Sequence, residues 1–208
     1  MAEPRPEGRS GTGAGRARSS VAIDGRVARG ARTRYSIVEA TIDLIESGNP
    51  RPTSRQVAAA AGVSVRLVFH HFDDVEMLYL DAVELQSSRT RSLIGIIPPH
   101  GPVGLRVAAI CHQRRQLFEA IAPVLTAALA RTGNRYDLLA DRRALLRHQL
   151  VVGLRPEILS RGPSAPVLLE SLDVAAGWQS WTSLRVEARR SADEAEQVMA
   201  YTIIGLLH

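Results

Sequence analysis

Along most of this chain apolar residues recur every three or four positions, the spacing of a helix with one buried face. The alternation of a half-buried strand is found nowhere at useful length. Ile37, Val38, Thr41, Leu44 and Ile45 form the first stripe, with Thr33 placed to cap it and Gly48-Asn49-Pro50 to end it. A later helix opens on the D-x-x-E pair Asp73 and Glu76 and carries Val75, Leu78, Tyr79, Ala82, Val83 and Gln86 on one face. It is expected to run to about Ile94. After the break at Ile97-Pro98-Pro99-His100-Gly101-Pro102, helices are predicted near 103–121, 123–131, 136–158 and 165–189, punctuated by Pro123, Gly133-Asn134 and Arg161-Gly162-Pro163. The closing helix is the best defined. Ser191 and Glu194 form a capping box, and Ala195, Val198, Met199, Thr202, Ile203 and Leu206 line one face. The pattern predicts an all-α fold.

Residues 1–32 lack that periodicity and, being rich in Gly, Arg, Ser and Ala, read as a disordered Arg-rich arm. Charge sharpens the division. Residues 1–70 hold 11 arginines against 6 acids, whereas residues 71–208 hold 15 of each, so the net charge of +5 lies in the first third. A basic segment on a neutral body suggests a polyanion partner for that segment. For the arm alone, a solubilising tail is an equal alternative.

Between the two N-terminal helical patterns lies TSRQVAAAAGVSVRLVFHHF, residues 53–72. Thr53 is a good N-cap for a short helix over Ser54 to Ala60. Gly62 stands where a helix ends in a left-handed residue, and Ser64 can cap a second short helix reaching about His71. Two short helices joined by a glycine-containing turn describe a helix-turn-helix. The small residues Ala58, Ala59 and Ala61 let the helices cross closely, with Val57, Val63 and Val68 as apolar contacts. His70 and His71 are neighbours about 100° apart on a helix, so they do not make a chelating pair and fit better at the rim of a DNA contact.

From Thr33 to about Val83 the chain resembles the DNA-binding domain of the TetR (tetracycline-repressor-like) family of transcriptional regulators. The matching elements are Ser47-Gly48, Thr53 with Val57-Ala58, the Ala61-Gly62-Val63-Ser64 turn, Val68-Phe69, His71-Phe72 and Glu76-Met77-Leu78. Further on, Ser180-Trp181, Leu184-Arg185 and the closing helix resemble the family's two dimerising helices. The chain departs from the pattern at Phe69 and Val75, where the family usually has Tyr and Lys, both of which meet phosphate. The resemblance implies a helix-turn-helix domain over residues 33–80 and a ligand-binding and dimerisation domain over 81–208. It also implies a homodimer on palindromic operator DNA, most simply a repressor released by a small-molecule effector. A ligand-independent or activating DNA binder is the alternative.

On that reading the second short helix enters the major groove. Arg66 is the best candidate to read a guanine edge, with Val65 and Leu67 near a thymine methyl and Phe69, His70 and His71 flanking. Ser54 and Arg55 are expected at phosphate, with Thr53 and Ser64 also among the DNA-contacting residues and Arg34 near the same face. The dimer seam is expected at Ala176, Ser180, Leu184, Val198, Met199, Thr202, Ile203 and Leu206. Candidate effector-pocket residues are Cys111, Arg114, Phe118, Tyr136, His148 and Trp178. Arg114 interrupts an apolar stripe; it either anchors an anionic ligand group or snorkels its head to the surface, and the stripe alone favours snorkelling.

No Gly-rich phosphate loop, nucleophile elbow or metal-ligand cluster is present, so neither an enzyme nor a cofactor or metal site is expected. A single cysteine, no secretory pattern and no apolar run near 20 residues fit a cytoplasmic protein without membrane partners.

Overall fold

Every helix-forming stripe in the sequence acquires a partner helix. The computed structural model describes residues 14–133 and 140–208, with side chains from Val27 onward except that of Asp141. Its helices are α1 (Ala14–Glu46), α2 (Ser54–Ala60), α3 (Val65–His71), α4 (Val75–Arg89), α5 (Val103–Thr132), α6 (Ala140–Gly153), α7 (Arg155–Ser160), α8 (Ala165–Ala175), α9 (Trp178–Thr182) and α10 (Ala192–Leu207). No strand occurs among the described residues. The α1 stripe is buried at Ile37, Val38, Thr41 and Ile45 and packs on α2 and α4. α4 packs against both α1 and α5, so it crosses the boundary expected near residue 80 and joins the N-terminal three helices to the body. Gln86 ties this junction together, donating from Nε2 to Glu46 Oε1 at 3.0 Å and to the Ala120 carbonyl at 2.9 Å.

α4 ends at Arg89 instead of running to about Ile94, and the helix expected over 136–158 is divided at Leu154 into α6 and α7. Three further boundaries differ from those expected. α1 begins at Ala14, not Thr33, so residues 14–32 are helical and not the disordered arm predicted for them; residues 1–13 lie outside the described residues. Thr33 sits inside the helix and its hydroxyl donates to the Arg29 carbonyl. The packed turns from Ile37 onward supply the nucleus, and each residue added before it gains a backbone hydrogen bond, a step favoured by the alanines and arginines there. α5 runs through Pro123 without a break. Proline removes one hydrogen bond, but Phe118, Ile121, Val124 and Leu125 are buried on both sides of it, and that packing holds the helix continuous. The predicted 165–189 helix is instead α8, α9 and a π-type turn at Ser183–Glu187. The interruption falls at Gly177, where a Cβ would lie 2.9 Å from the Asp173 carbonyl oxygen.

Three of the expected caps form as read, at Thr53, Ser64 and Ser191, and one moves. Ser191 and Glu194 close a reciprocal capping box on α10. At α4 the cap is Asp74, which accepts from Glu76 N at 3.0 Å, rather than Asp73. In the body, Arg106 is buried and grips Glu157 through both carboxylate oxygens while donating to the Gly153 carbonyl at 2.7 Å. This pair locks the N-terminal end of α5 to the α6–α7 junction.

Candidate nucleic-acid interface and interior cavity

The turn between α2 and α3 is built by its own backbone. Val63 N bonds back to Ala58 O at 2.9 Å and Gly62 N to Ala59 O at 3.3 Å, the paired bonds of a Schellman motif. That motif needs a left-handed residue, supplied by Gly62 at φ 66°. Thr53 caps α2, accepting from Gln56 N at 3.3 Å while Gln56 Oε1 accepts from Thr53 N at 2.8 Å. Ser64 caps α3, its Oγ accepting from Leu67 N at 3.2 Å. Both helices are thus fixed by local chemistry, and Val57, Ala58 and Val68 anchor them to the core. Ala59, expected to pack between the helices, faces solvent.

With Val68 turned inward, the opposite flank of α3 is left bare. Arg66, Phe69 and His70 lie three and four positions apart on one face and are all exposed, Phe69 by 50%. Val65 and Ser64 are exposed beside them, Leu67 is half-buried, and on α2 Arg55 is exposed and Ser54 half-buried. Among the described residues neither Arg55 nor Arg66 forms an ion pair. A row of unpaired guanidinium and ring groups on a rigid, doubly capped helix pair is equipped to meet an anionic surface.

Two predicted DNA-contact residues are engaged within the protein. Arg34 donates to Asp81 at 2.8 Å and to the His71 carbonyl at 2.5 Å, and its guanidinium lies 4.1 Å from the Phe72 ring centroid. It therefore clamps the C-terminal end of α3 against α4 instead of pointing outward. A cation at this end also suits the helix dipole. Periodicity could not reveal this, because Asp81 is 47 residues distant. His71 is half-buried beside that clamp. Burial, then His70 and Arg34, hold its imidazole below the ordinary value of 6.5, so at neutral pH it offers a neutral ring rather than a charge.

In the body, α5, α6, α8 and α9 line a cavity of about 610 Å³ that is open to solvent along one side, within the range of ordinary small-molecule sites. Phe118, Ile121, Leu129 and Trp178 form apolar walls, and Arg114 lines it. Phe118 holds Trp178 edge-on at 5.7 Å between centroids. Of the pocket residues expected from sequence, Arg114, Phe118 and Trp178 are thus brought together. Cys111 is buried but outside the cavity, and burial pushes its thiol up to about 12, leaving it inert. His148 is exposed on the outer side of α6 and does not belong to the pocket. Tyr136 lies outside the described residues. Arg142 and Thr182, which no sequence signal marked, also line the wall.

Arg114 overturns the snorkelling expectation. It is 1% exposed, with Nη2 donating to the Leu146 carbonyl at 2.7 Å. Burial lowers its pKa to about 10, which still leaves it charged at neutral pH.

The expected dimer seam divides. Ala176, Met199 and Ile203 are buried inside this chain, so they belong to its own core. A single apolar stripe cannot tell which side of a helix meets the core and which a second copy. On α10 the Ala195–Met199–Ile203 line faces α5 and α8, while Val198, Tyr201 and Thr202 face outward. Ser180, Leu184 and Leu206 are half-buried. Val167 and Val174 of α8 are also exposed, Val174 at the rim of the cavity.

No family model matches the chain, and no curated protein is significantly similar to it. Solved structures are. A tetR-family transcriptional regulator from Streptomyces coelicolor superposes with a TM-score of 0.63 at 22% identity, over 83% of this chain and 81% of that one. A transcriptional regulator from Rhodococcus sp. Rha1 gives 0.56 at 20% identity, over 84% and 95%. A putative TetR-family transcriptional regulator from Mesorhizobium loti gives 0.54 at 17%, over 86% and 96%. The class defined is that of an all-α chain with a capped helix-turn-helix ahead of a helical body. More particularly, the chain shares the fold of TetR-family transcriptional regulators.

Proposed function

We propose that the chain is a DNA-binding transcriptional regulator which, as a twofold dimer, inserts α3 into the major groove of a palindromic operator. The observation carrying this reading is the bare flank of α3. Arg66, Phe69 and His70 are exposed together on a helix whose position is fixed by two caps, a left-handed glycine and the Arg34 clamp. Arg66 then reads a guanine edge, and Arg55 meets phosphate from α2. The outward sides of α8 and α10, with Val167, Val198 and Tyr201, are the surface through which two copies join. Dimerisation sets the two α3 helices roughly 34–36 Å apart, one turn of the duplex.

In this reading the cavity receives an effector, and α4 relays its occupancy. Arg142 lines the cavity and donates from Nη2 to Thr90 Oγ1 at 3.1 Å, at the end of α4 remote from α3. An effector acts only by favouring one spacing of the two DNA-reading heads over another. Release of DNA on binding makes the chain a repressor. Selection from random duplexes tests the whole reading: the expected product is an inverted repeat bound well above random competitor. Enrichment of no sequence would leave a non-specific DNA binder.

A further inference from the structure

Arg114 is a buried cation that the protein leaves half satisfied. Its Nη2 is bonded to Leu146, but Nε and Nη1 have no hydrogen-bond partner. Asp173 acts on this charge through space but makes no hydrogen bond to it, and its Oδ2 is paired with Arg143 Nη2 at 3.1 Å and Arg147 Nη1 at 3.6 Å. Two further buried groups on the same wall also lack partners, Arg142 Nη1 and Thr182 Oγ1. Glu187, the other acid at the rim, is exposed and accepts from Ser183 Oγ. Three arginines and two carboxylates line the cavity, and the arginine donors left without partners are Nε and Nη1 of Arg114 and Nη1 of Arg142. Burying a charge without partners is unfavourable enough that proteins rarely do so without a reason.

We propose that the cavity binds a small organic monoanion, a carboxylate with an apolar body, its charged head on the free donors of Arg114 and Arg142 and its body against Phe118, Ile121, Leu129 and Trp178. This rests on the effector reading above and adds the ligand class. The wall supplies both halves of such a molecule: cationic and hydroxyl donors at one side, aromatic and aliphatic surface at the other. A neutral isostere forgoes the charge-assisted hydrogen bonds that make the head worth burying.

The test uses the intact chain without DNA. Trp178 and Trp181 are its two tryptophans, and both pack on Phe118 close to the wall, so their fluorescence reads occupancy. Decanoate and 2-naphthoate are titrated beside their uncharged amides. The proposal expects at least one acid to bind saturably below about 1 mM and about tenfold tighter than its amide. Arg114→Met should reduce the acid to the amide's affinity, and Leu129→Trp, which fills the cavity, should abolish both. Saturable binding of neither acid, or an amide bound as tightly as its acid, overturns the proposal. That comparison holds on the unaltered protein even if a variant fails to fold. Duplex binding by the same preparations is measured separately by anisotropy. A chain that takes the acid but no DNA sinks the regulator reading alone, and one that selects an operator but takes neither acid sinks only this inference.

Discussion

Arg66 and Arg114 are both arginines with free donors, one in open solvent on α3 and the other buried inside the body. The first incurs no desolvation cost while it waits, because water satisfies it; the second carries its cost in every molecule. The contrast separates two kinds of recognition. A surface that meets phosphate and base edges exchanges its water only on contact, so its specificity must come from a rigid frame. An interior site has its charge desolvated beforehand, so it discriminates by what it leaves unsatisfied. The frame of α3 is correspondingly rich in fixing contacts, namely both caps, Gly62 and Arg34. The Arg114 guanidinium has one hydrogen bond, to Leu146.

The contrast predicts which substitutions damage the fold and which only function. The largest effect belongs to a third arginine, Arg106, which is buried but fully paired. Arg106→Met should destabilise the chain by about 3 kcal/mol, since it strands Glu157. Denaturant melts measure it, and a loss below about 1 kcal/mol would mean that the pair is idle. Its pH dependence follows in sign. The Arg106 hydrogen bonds hold the Glu157 carboxyl below its ordinary 4.5, so the pair's contribution is present above that value and is lost as pH falls through the lower, folded-state one. Acid melts of the wild type should therefore fall more steeply below that value than those of the variant.

Arg66→Ala comes next. It should cost about 1–3 kcal/mol of operator binding, concentrated at one base pair, with stability unchanged. A uniform loss over all sequences would make Arg66 a phosphate contact. Arg114→Met should leave stability within about 1 kcal/mol of wild type, because it exchanges one hydrogen bond for relief of an unpaired charge. A loss near that of Arg106→Met would make Arg114 a strut. The smallest effect is expected from the basic N-terminal segment. Deleting residues 1–30 should lower the slope of log affinity against log salt by about 0.9 for each phosphate contact removed, as titration at several salt concentrations would show. An unchanged slope would mean that the segment touches no DNA.

Sequence alone resolved the two regions unequally, for physical reasons. The α2–α3 unit is local: caps, glycine and alanines act within 20 residues, so Thr53, Gly62 and Ser64 could be assigned roles that the backbone then displays. The cavity is assembled from α5, α6, α8 and α9, and nothing in spacing marks Arg142 or Thr182 as neighbours of Arg114. The Arg34 clamp is invisible to spacing for the same reason, its partner Asp81 being remote in sequence. On α10, periodicity found the apolar residues but could not divide them between core and outer face. Pro123 and the 14–32 segment show tertiary packing and helix propagation overriding local signals.

The central claim is that two copies of α3 read one face of a duplex. It is tested most directly by inserting five base pairs between the half-sites of the selected operator, which turns one half-site about half a helical turn away from the other. The account predicts loss of tight binding and its partial return when ten are inserted instead. Equal affinity for all three spacings would contradict it.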